Sequence, residues 1–404
     1  MKKSFLGNKP AARALLLSIG TLTFSGILAQ APLPPKVSAL AAIVVDAASG
    51  RVLFAKNADL RLHPASTTKV MTGWLLASKC RPEELLTAPT DIAKVKESSM
   101  HLMPGEQVTA GEMLYALMLR SANDGCHTVA VHVAGDETSF AKLMNERAKA
   151  VGCQNTTFVN PHGLTHPDHL TTARDLSLIA IAAMADPLFA KVVATQRHTI
   201  VRSLNQKDTL LINRDKWLKL DPRARGIKTG WTKAAGQCFV GLAQDNDMAV
   251  VTVVLKSTTW VQDQQALTNW YFDNFEQRHV LQKGDRLATV SVKNGQQSKV
   301  SAVAAKDVVA VVPKDARSLY DVSEDQLSVT APVSKGDGLG GCRIVLYDGT
   351  VLTVPTVADH SVKERSMLAV LSAPSGVIGF AVLSGGAFLL RARSRKWARN
   401  SVRP

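Results

Sequence analysis

Ser66-Thr67-Thr68-Lys69, Ser121-Ala122-Asn123 and Lys228-Thr229-Gly230 stand in that order along a chain of 404 residues. Taken singly, ordinary structure accounts for each. Ser66 reads as a helix N-cap, Ser121-Ala122-Asn123-Asp124-Gly125 as a turn, and Lys228 as a surface lysine at a strand end. A serine followed three residues later by a lysine is common by chance, but the ordered set is not. The conjunction reverses all three local readings.

One chemistry explains the residue types. Pro64-Ala65 precedes the apolar run Val70 to Leu76, which predicts a helix with Ser66 in its first turn and Lys69 at i+3 on the same face. The amine then reaches the hydroxyl. A free serine is a weak nucleophile, and a lysine serves as its base only when desolvation or neighbouring positive charge lowers its pKa toward neutrality. Lys228 supplies such a charge. Ser121 and Asn123, spaced i, i+2 in a loop between helices, are placed to point into one cleft, Ser121 relaying a proton to the leaving amine and Asn123 holding a substrate amide. Lys228-Thr229-Gly230 reads as the start of an edge strand, and Gly230 has no side chain to block a substrate alongside it.

With these three motifs the chain resembles the penicillin-recognising acyl-serine enzymes. Val45 to Leu53, Met103 to Thr109, Asn160-Pro161-His162-Gly163-Leu164 and Thr172 to Leu176 extend the likeness. Within that group the chain is similar, over residues 38 to 360, to the D-alanyl-D-alanine carboxypeptidases, the low-molecular-mass penicillin-binding proteins. The resemblance implies an α+β fold: a serine β-lactamase/DD-peptidase-like catalytic domain, an antiparallel sheet with helices, followed by a strand-rich domain. It implies catalysis by Ser66, Lys69 and Ser121, and substrate binding by Asn123, Lys228, Thr229, Gly230 and Trp231. Lys228 and Thr229 would take the terminal carboxylate, and the backbone N–H groups of Ser66 and Trp231 would form the oxyanion hole. The expected partners are peptidoglycan stem peptides ending in D-Ala-D-Ala, with β-lactams as inhibitors and no cofactor or metal. A DD-endopeptidase acting on cross-links uses the same acyl-enzyme, and a wall-organising protein without turnover would keep the same pocket.

The chain also departs from the family. Asp221-Pro222-Arg223-Ala224-Arg225 stands where a short Val-Asp pair is usual, adding positive charge beside the cleft. An arginine that some members carry in the loop after Val250 to Leu255 is replaced by Gln262, Asp263 and Gln264. A class A β-lactamase needs a glutamate on the loop after Ser-x-Asn to activate the deacylating water, and residues 160 to 176 hold none. Hydrolysis of a penicilloyl intermediate is therefore expected to be slow. Among the titratable groups of that stretch, His162 and Asp175 are the two read as accessory candidates; the competing reading is a surface histidine and a helix-capping aspartate.

The net charge of +15 looks like a nucleic-acid signal until it is located. Lys2, Lys3, Lys9 and Arg13 at one end, and Arg391, Arg393, Arg395, Lys396, Arg399 and Arg403 at the other, leave only +5 for the body. No nucleic-acid partner is expected. The basic start followed by Ala14 to Leu28 and the small-x-small site Ala29-Gln30-Ala31 reads as a signal peptide over 1–31, although Pro32 disfavours cleavage and leaves an uncut anchor open. Residues 366–390 carry no charge and as a helix would extend about 37 Å at about 1.5 Å per residue, enough for a transmembrane anchor; their Pro and Gly content also admits an interfacial helix. The basic tail 391–404 is then cytoplasmic, with the catalytic body on the periplasmic or extracellular side of the membrane.

Between the ends the pattern predicts two domains. In 38–277, Ala42 to Val45 precedes the helices and Ala249 to Leu255 follows Lys228, so the first and last segments share one antiparallel sheet. In 279–362, an Asn294-Gly295 turn and strand runs flanking Asp348-Gly349 predict a small β-sandwich serving as a spacer. Cys80, Cys126, Cys153, Cys238 and Cys342 are an odd set without Cys-x-x-Cys spacing, so no zinc or redox motif is indicated. Cys126, three residues after Asn123, reads either as a thiol near the cleft or as a buried apolar cysteine.

Overall fold

Ala41–Asp46 and Met248–Ser257, about half the chain apart, lie side by side as antiparallel strands, with Ala42 opposite Val254 and Val44 opposite Thr252. The computed structural model describes residues 32–366 except 96, 317–319, 324–327 and 347–348. The leader expected over 1–31, the tail over 391–404 and all but the first residue of the expected anchor 366–390 lie outside the described residues.

The first elements are β1 (Ala41–Asp46), β2 (Val52–Lys56), a 3₁₀ turn (Ala65–Thr68) and α1 (Lys69–Lys79). There follow β3 (Leu85–Thr87), β4 (Gln107–Thr109), α2 (Ala110–Tyr115), α3 (Asn123–Ala134), α4 (Glu137–Ala150), α5 (Ala173–Met184) and α6 (Pro187–Val193). The chain then runs through β5 (Arg197–Thr199), β6 (Leu210–Ile212), β7 (Ala224–Thr232), β8 (Gly236–Asp245), β9 (Met248–Ser257) and α7 (Trp260–Asn274). The main sheet has the order β2-β1-β9-β8-β7, all antiparallel, so β7 is an edge. The first and last segments share it, as the sequence pattern predicts.

Side chains alternate across a strand, and here both faces are covered. Ile43, Val45, Val251 and Val253 face a core shared with α1, α3, α4 and α5. Val44, Val250 and Val254 face a second core with Trp270 and Tyr271 of α7. Because β9 is buried on both sides, its sequence is a continuous apolar run rather than an alternation. The main core is built around α1, whose Val70, Met71, Leu75 and Leu76 are almost fully buried.

Two local details differ from the sequence expectations. Lys228 is in the middle of β7, which begins at Ala224, rather than at the start of a strand. Gln262, Asp263 and Gln264 belong to α7 and not to a loop. Asp263 accepts from the backbone of Ser38 and Ala39 and from Ser257 Oγ, pinning the N-terminal segment to the sheet.

Strand structure resumes directly after α7. It comprises β10 (Phe275–Leu281), β11 (Arg286–Lys293), β12 (Lys299–Ala304), β13 (Val308–Pro313), β14 (Tyr320–Ser323), β15 (Ser328–Thr330), β16 (Gly338–Leu346) and β17 (Val351–Ala358). The pair β10-β13 and the sheet β14-β16-β17-β12-β11-β15 enclose an apolar cluster around Ile344, and a second cluster around Val290 joins β11 and β12 to Ala331, Val333 and Val362. The hairpin expected around Gly349 is the β16-β17 pair. Among the described residues no single helix is long and apolar enough to cross a membrane.

Candidate active site

Ser66 sits in the 3₁₀ turn that leads into α1, so Lys69 at i+3 lies directly above it. Ala65, just before it, has φ +50°, a left-handed conformation that costs a non-glycine residue about 1 kcal/mol or more. Packing holds the turn in that shape. Gly163, at φ +88°, runs so close that a Cβ there would fall 1.9 Å from the Ala65 carbonyl oxygen. Thr68 Oγ1 donates to the same carbonyl at 2.8 Å and lies 2.9 Å from His169 Nε2. His169 Nδ1 accepts from Val159 N–H, which puts the ring proton on Nε2, and burial drives the His169 pKa down to about 3.

Lys69 Nζ donates to Ser66 Oγ at 3.0 Å, to Asn123 Oδ1 at 2.7 Å and to the His162 carbonyl at 2.7 Å. The residue has no solvent exposure, and burial, helped by the charge of Arg214, lowers its pKa to about 8 against the opposing pull of the Cys126 thiol and nearby acids. Lys228 is equally buried, and desolvation followed by the charge of Lys69 holds its pKa well below the ordinary lysine value. Two lysine amines in one water-poor site cannot both be protonated without cost.

The other motif residues converge from separate elements. A short π-helical turn, Ala116–Arg120, delivers Ser121 in the left-handed region at φ +67°, buried. Asn123 then opens α3. On β7, an ideal Cβ at Gly230 would fall 3.0 Å from Ser66 N, Thr67 N and the Pro64 carbonyl oxygen. Glycine at 230 therefore lets the edge strand approach the turn that carries Ser66. Thr229 is half-buried and Trp231 is 68% exposed on the strand beside the turn.

His162 and Asp175 part company. The His162 main chain holds Lys69, its Nδ1 accepts from Leu164 N–H, and its Nε2 lies 3.6 Å from Glu137 Oε2. Asp175 is buried away from this cluster, its carboxylate accepting from the Gln154 and Asn155 N–H groups and Thr156 Oγ1. The helix cap is Thr172, whose Oγ1 accepts from Asp175 N–H. The positive charge expected beside the cleft from Arg223 is also placed elsewhere: Arg223 forms a two-point ion pair with Asp221 and stacks over Phe272 of α7.

Glu137 and His127 escape a sequence reading because α3 and α4 carry them as unremarkable polar helix positions. Glu137 Oε1 is 2.8 Å from His127 Nδ1, and His127 Nε2 is 3.2 Å from Asp91 Oδ1. With carboxylates at both ring nitrogens, Glu137 foremost, the His127 pKa is raised. Burial pushes Glu137 up, but the hydrogen bonds of His127 and His162 prevail and hold it at about 2. Cys126 is fully buried, and desolvation raises its thiol to about 12, so it is a core residue and not a reactive one.

The family model described as D-alanyl-D-alanine carboxypeptidase matches residues 28–259. The chain belongs to the D-alanyl-D-alanine carboxypeptidase family. Residues 275–364 match the C-terminal domain of penicillin-binding protein 5. Among relatives, the D-alanyl-D-alanine carboxypeptidase DacC of Escherichia coli (strain K12) is 32% identical over 82% of this chain and 86% of its own. DacF of Bacillus subtilis (strain 168) is 29% identical over 90% of this chain and 97% of its own. Among solved structures, penicillin binding protein 5 from Haemophilus influenzae superposes with a TM-score of 0.68 at 26% identity, covering 82% of this chain and 99% of that one. As a member of the D-alanyl-D-alanine carboxypeptidase family the chain is a hydrolase of the peptidase class with a penicillin-binding fold.

Proposed function

We propose that Ser66 is the nucleophile of a serine DD-carboxypeptidase that removes the terminal D-alanine of peptidoglycan pentapeptide stems. The observation that carries this reading is the buried Lys69 amine, with a pKa lowered to about 8, 3.0 Å from Ser66 Oγ. Neutral Lys69 takes the hydroxyl proton as Oγ bonds to the penultimate D-alanine carbonyl carbon. The developing oxyanion is received by the N–H groups of Ser66 and Trp231. Collapse breaks the C–N bond, and the leaving D-alanine amine takes a proton through Ser121. Water then hydrolyses the acyl-Ser66 ester. Asn123 orients the substrate amide, and Lys228 and Thr229 bind the terminal carboxylate, with Gly230 keeping the strand close.

The same arrangement supports long-lived β-lactam adducts. Glu137, the carboxylate that approaches the 160–164 loop, is engaged by His127 and His162 and held at about 2, which leaves it a poor base for a deacylating water. The uncharged stretch 366–390 and the six basic residues after it support a membrane-anchored enzyme with its catalytic body outside the cytoplasm.

The test incubates the protein with a pentapeptide ending in D-Ala-D-Ala and, separately, with a cross-linked muropeptide dimer. Release of free D-alanine from the first at the higher kcat/KM supports the proposal. Cleavage of the dimer alone would make the enzyme an endopeptidase, and fluorescent-penicillin labelling without either product would make it a binding protein.

A further inference from the structure

Cys80 and Glu84 from one turn and His132 from a distant helix bring their Sγ, carboxylate and ring-nitrogen atoms within 4.8 Å of one another. Cys80 closes the C-terminal end of α1, Glu84 lies in the turn that follows it, and His132 is in the last turn of α3. Cys80 is buried, while the Glu84 and His132 side chains are 33% and 28% exposed. Glu84 is already oriented by the fold. One of its oxygens accepts from Arg81 N–H at 3.2 Å, and the other is 2.8 Å from His132 Nε2.

We propose that Cys80, Glu84 and His132 form a zinc site, apart from the catalytic cluster, that ties the C-terminal ends of α1 and α3 together. The donor set decides the metal class. A thiolate, an imidazole and a carboxylate suit Zn²⁺, whereas Ca²⁺ and Mg²⁺ call for oxygen ligands. Tetrahedral zinc with N and O ligands at about 2.0–2.2 Å separates them by about 3.3 Å, so His132 Nε2 and Glu84 Oε1 need move apart by only about half an ångström. Zinc replaces the hydrogen bond between them: the His132 ring binds through Nε2 as the neutral tautomer with its proton on Nδ1, the Cys80 thiol proton and that of any imidazolium go to solvent, and the fourth position is left to water.

The placement gives the ion a structural task. α1 begins at Lys69 and α3 at Asn123, and the two helices pack together, so an ion joining their far ends fixes the pair whose near ends carry the catalytic groups. At about 1.5 Å per residue the length of α1 puts roughly 16 Å between the ion and Lys69. All five cysteines are free thiols, so nothing covalent performs this tethering among the described residues. An ion that binds only the folded state raises stability by mass action.

The experiment uses the untagged full chain stripped of metal with a chelator. Zinc is expected to bind at a single equivalent and raise the melting temperature. Cobalt in its place is expected to give the intense visible bands of tetrahedral coordination together with a thiolate-to-metal charge-transfer band. Cys80→Ser removes that band and the zinc-induced stabilisation, while Cys153→Ser keeps both. Glu84→Gln and His132→Gln each weaken zinc binding by about tenfold or more. Circular dichroism and penicillin labelling report folding of each variant, and His132→Gln, on the helix surface, carries the test if Cys80→Ser misfolds. A cobalt spectrum without the thiolate band, or zinc binding as tight in Cys80→Ser and His132→Gln as in the parent, would overturn the proposal.

Discussion

Lys69 Nζ meets Ser66 Oγ with the two other acceptors of that amine, Asn123 Oδ1 and the His162 carbonyl, each at 2.7 Å. Neither of those two oxygens carries a proton, so each must receive an N–H from Lys69. A neutral amine has two N–H groups and one lone pair. With both N–H groups committed, the lone pair is left for Ser66, whose hydroxyl can donate as well as accept. The protonated amine instead donates to all three and leaves Ser66 unactivated.

Acylation should therefore rise with pH along a limb centred near 8, because deprotonation of Lys69 creates the base. Lys69→Arg, which cannot deprotonate, is expected to lose about two orders of magnitude or more in the acylation rate with fluorescent penicillin. A variant retaining more than about a tenth of the parent rate would assign the base elsewhere.

Gly230→Ala puts a methyl carbon 3.0 Å from Ser66 N, Thr67 N and the Pro64 oxygen, all backbone atoms that cannot swing aside. The strand must retreat from the nucleophile turn. Acylation is expected to fall between about tenfold and a hundredfold, while thermal unfolding measured by circular dichroism changes little, since misplacements of this size act mainly on reaction geometry. An unaltered rate would mean that the close approach of β7 has no part in catalysis.

Glu137→Gln removes the charge that joins the His162 and His127 rings. The His162 carbonyl is then less firmly held beneath Lys69. A loss of about 1–2 kcal/mol, roughly five- to thirtyfold in acylation rate, is expected. The acid limb should stay near 8, because burial and other charges, not Glu137, set the Lys69 value. Rate–pH profiles of both proteins check this, and a limb displaced by a full unit would give Glu137 an electrostatic role instead.

Much of this site was legible because its chemistry demands particular residue types at short range. Ser66 and Lys69 need only one helical turn between them, and the edge position of β7 follows from the strand order. What could not be read was whatever depends on main-chain atoms or on distant side chains meeting. The grip on Lys69 from residue 162 is a carbonyl, which every residue possesses. Gly230 read as room for substrate, and no signal in the sequence told that the Pro64–Thr67 backbone also packs against it. Glu137, His127 and the Cys80–Glu84–His132 group carry no spacing signal, since α3 meets α4 in the first case and the turn after α1 in the second. Asp175 misled for the opposite reason: its sequence context is that of a helix start, yet its carboxylate serves the 154–156 segment.

His169 couples the nucleophile turn to pH. Its folded pKa of about 3 lies below the ordinary histidine value of 6.5, so the unfolded chain binds the proton first as pH falls. Its contribution is complete above about 6.5 and is lost progressively toward 3. His169→Gln is expected to flatten this acid dependence, removing on the order of 1–2 kcal/mol of the drop between neutral pH and pH 5. Urea unfolding across that range measures it, and parallel pH curves for the two proteins would contradict the assignment.

The most direct measurement is peptide mapping by mass spectrometry after brief exposure to benzylpenicillin, run on the parent and on Ser66→Ala. The penicilloyl mass is expected on the peptide containing Ser66-Thr67-Thr68-Lys69, fragmenting to Ser66, and is expected to be absent from the folded Ser66→Ala protein. An adduct on Ser121 or any other residue of the parent, or undiminished labelling of Ser66→Ala, would contradict the assignment of Ser66 as nucleophile and of Lys69 as the base beside it.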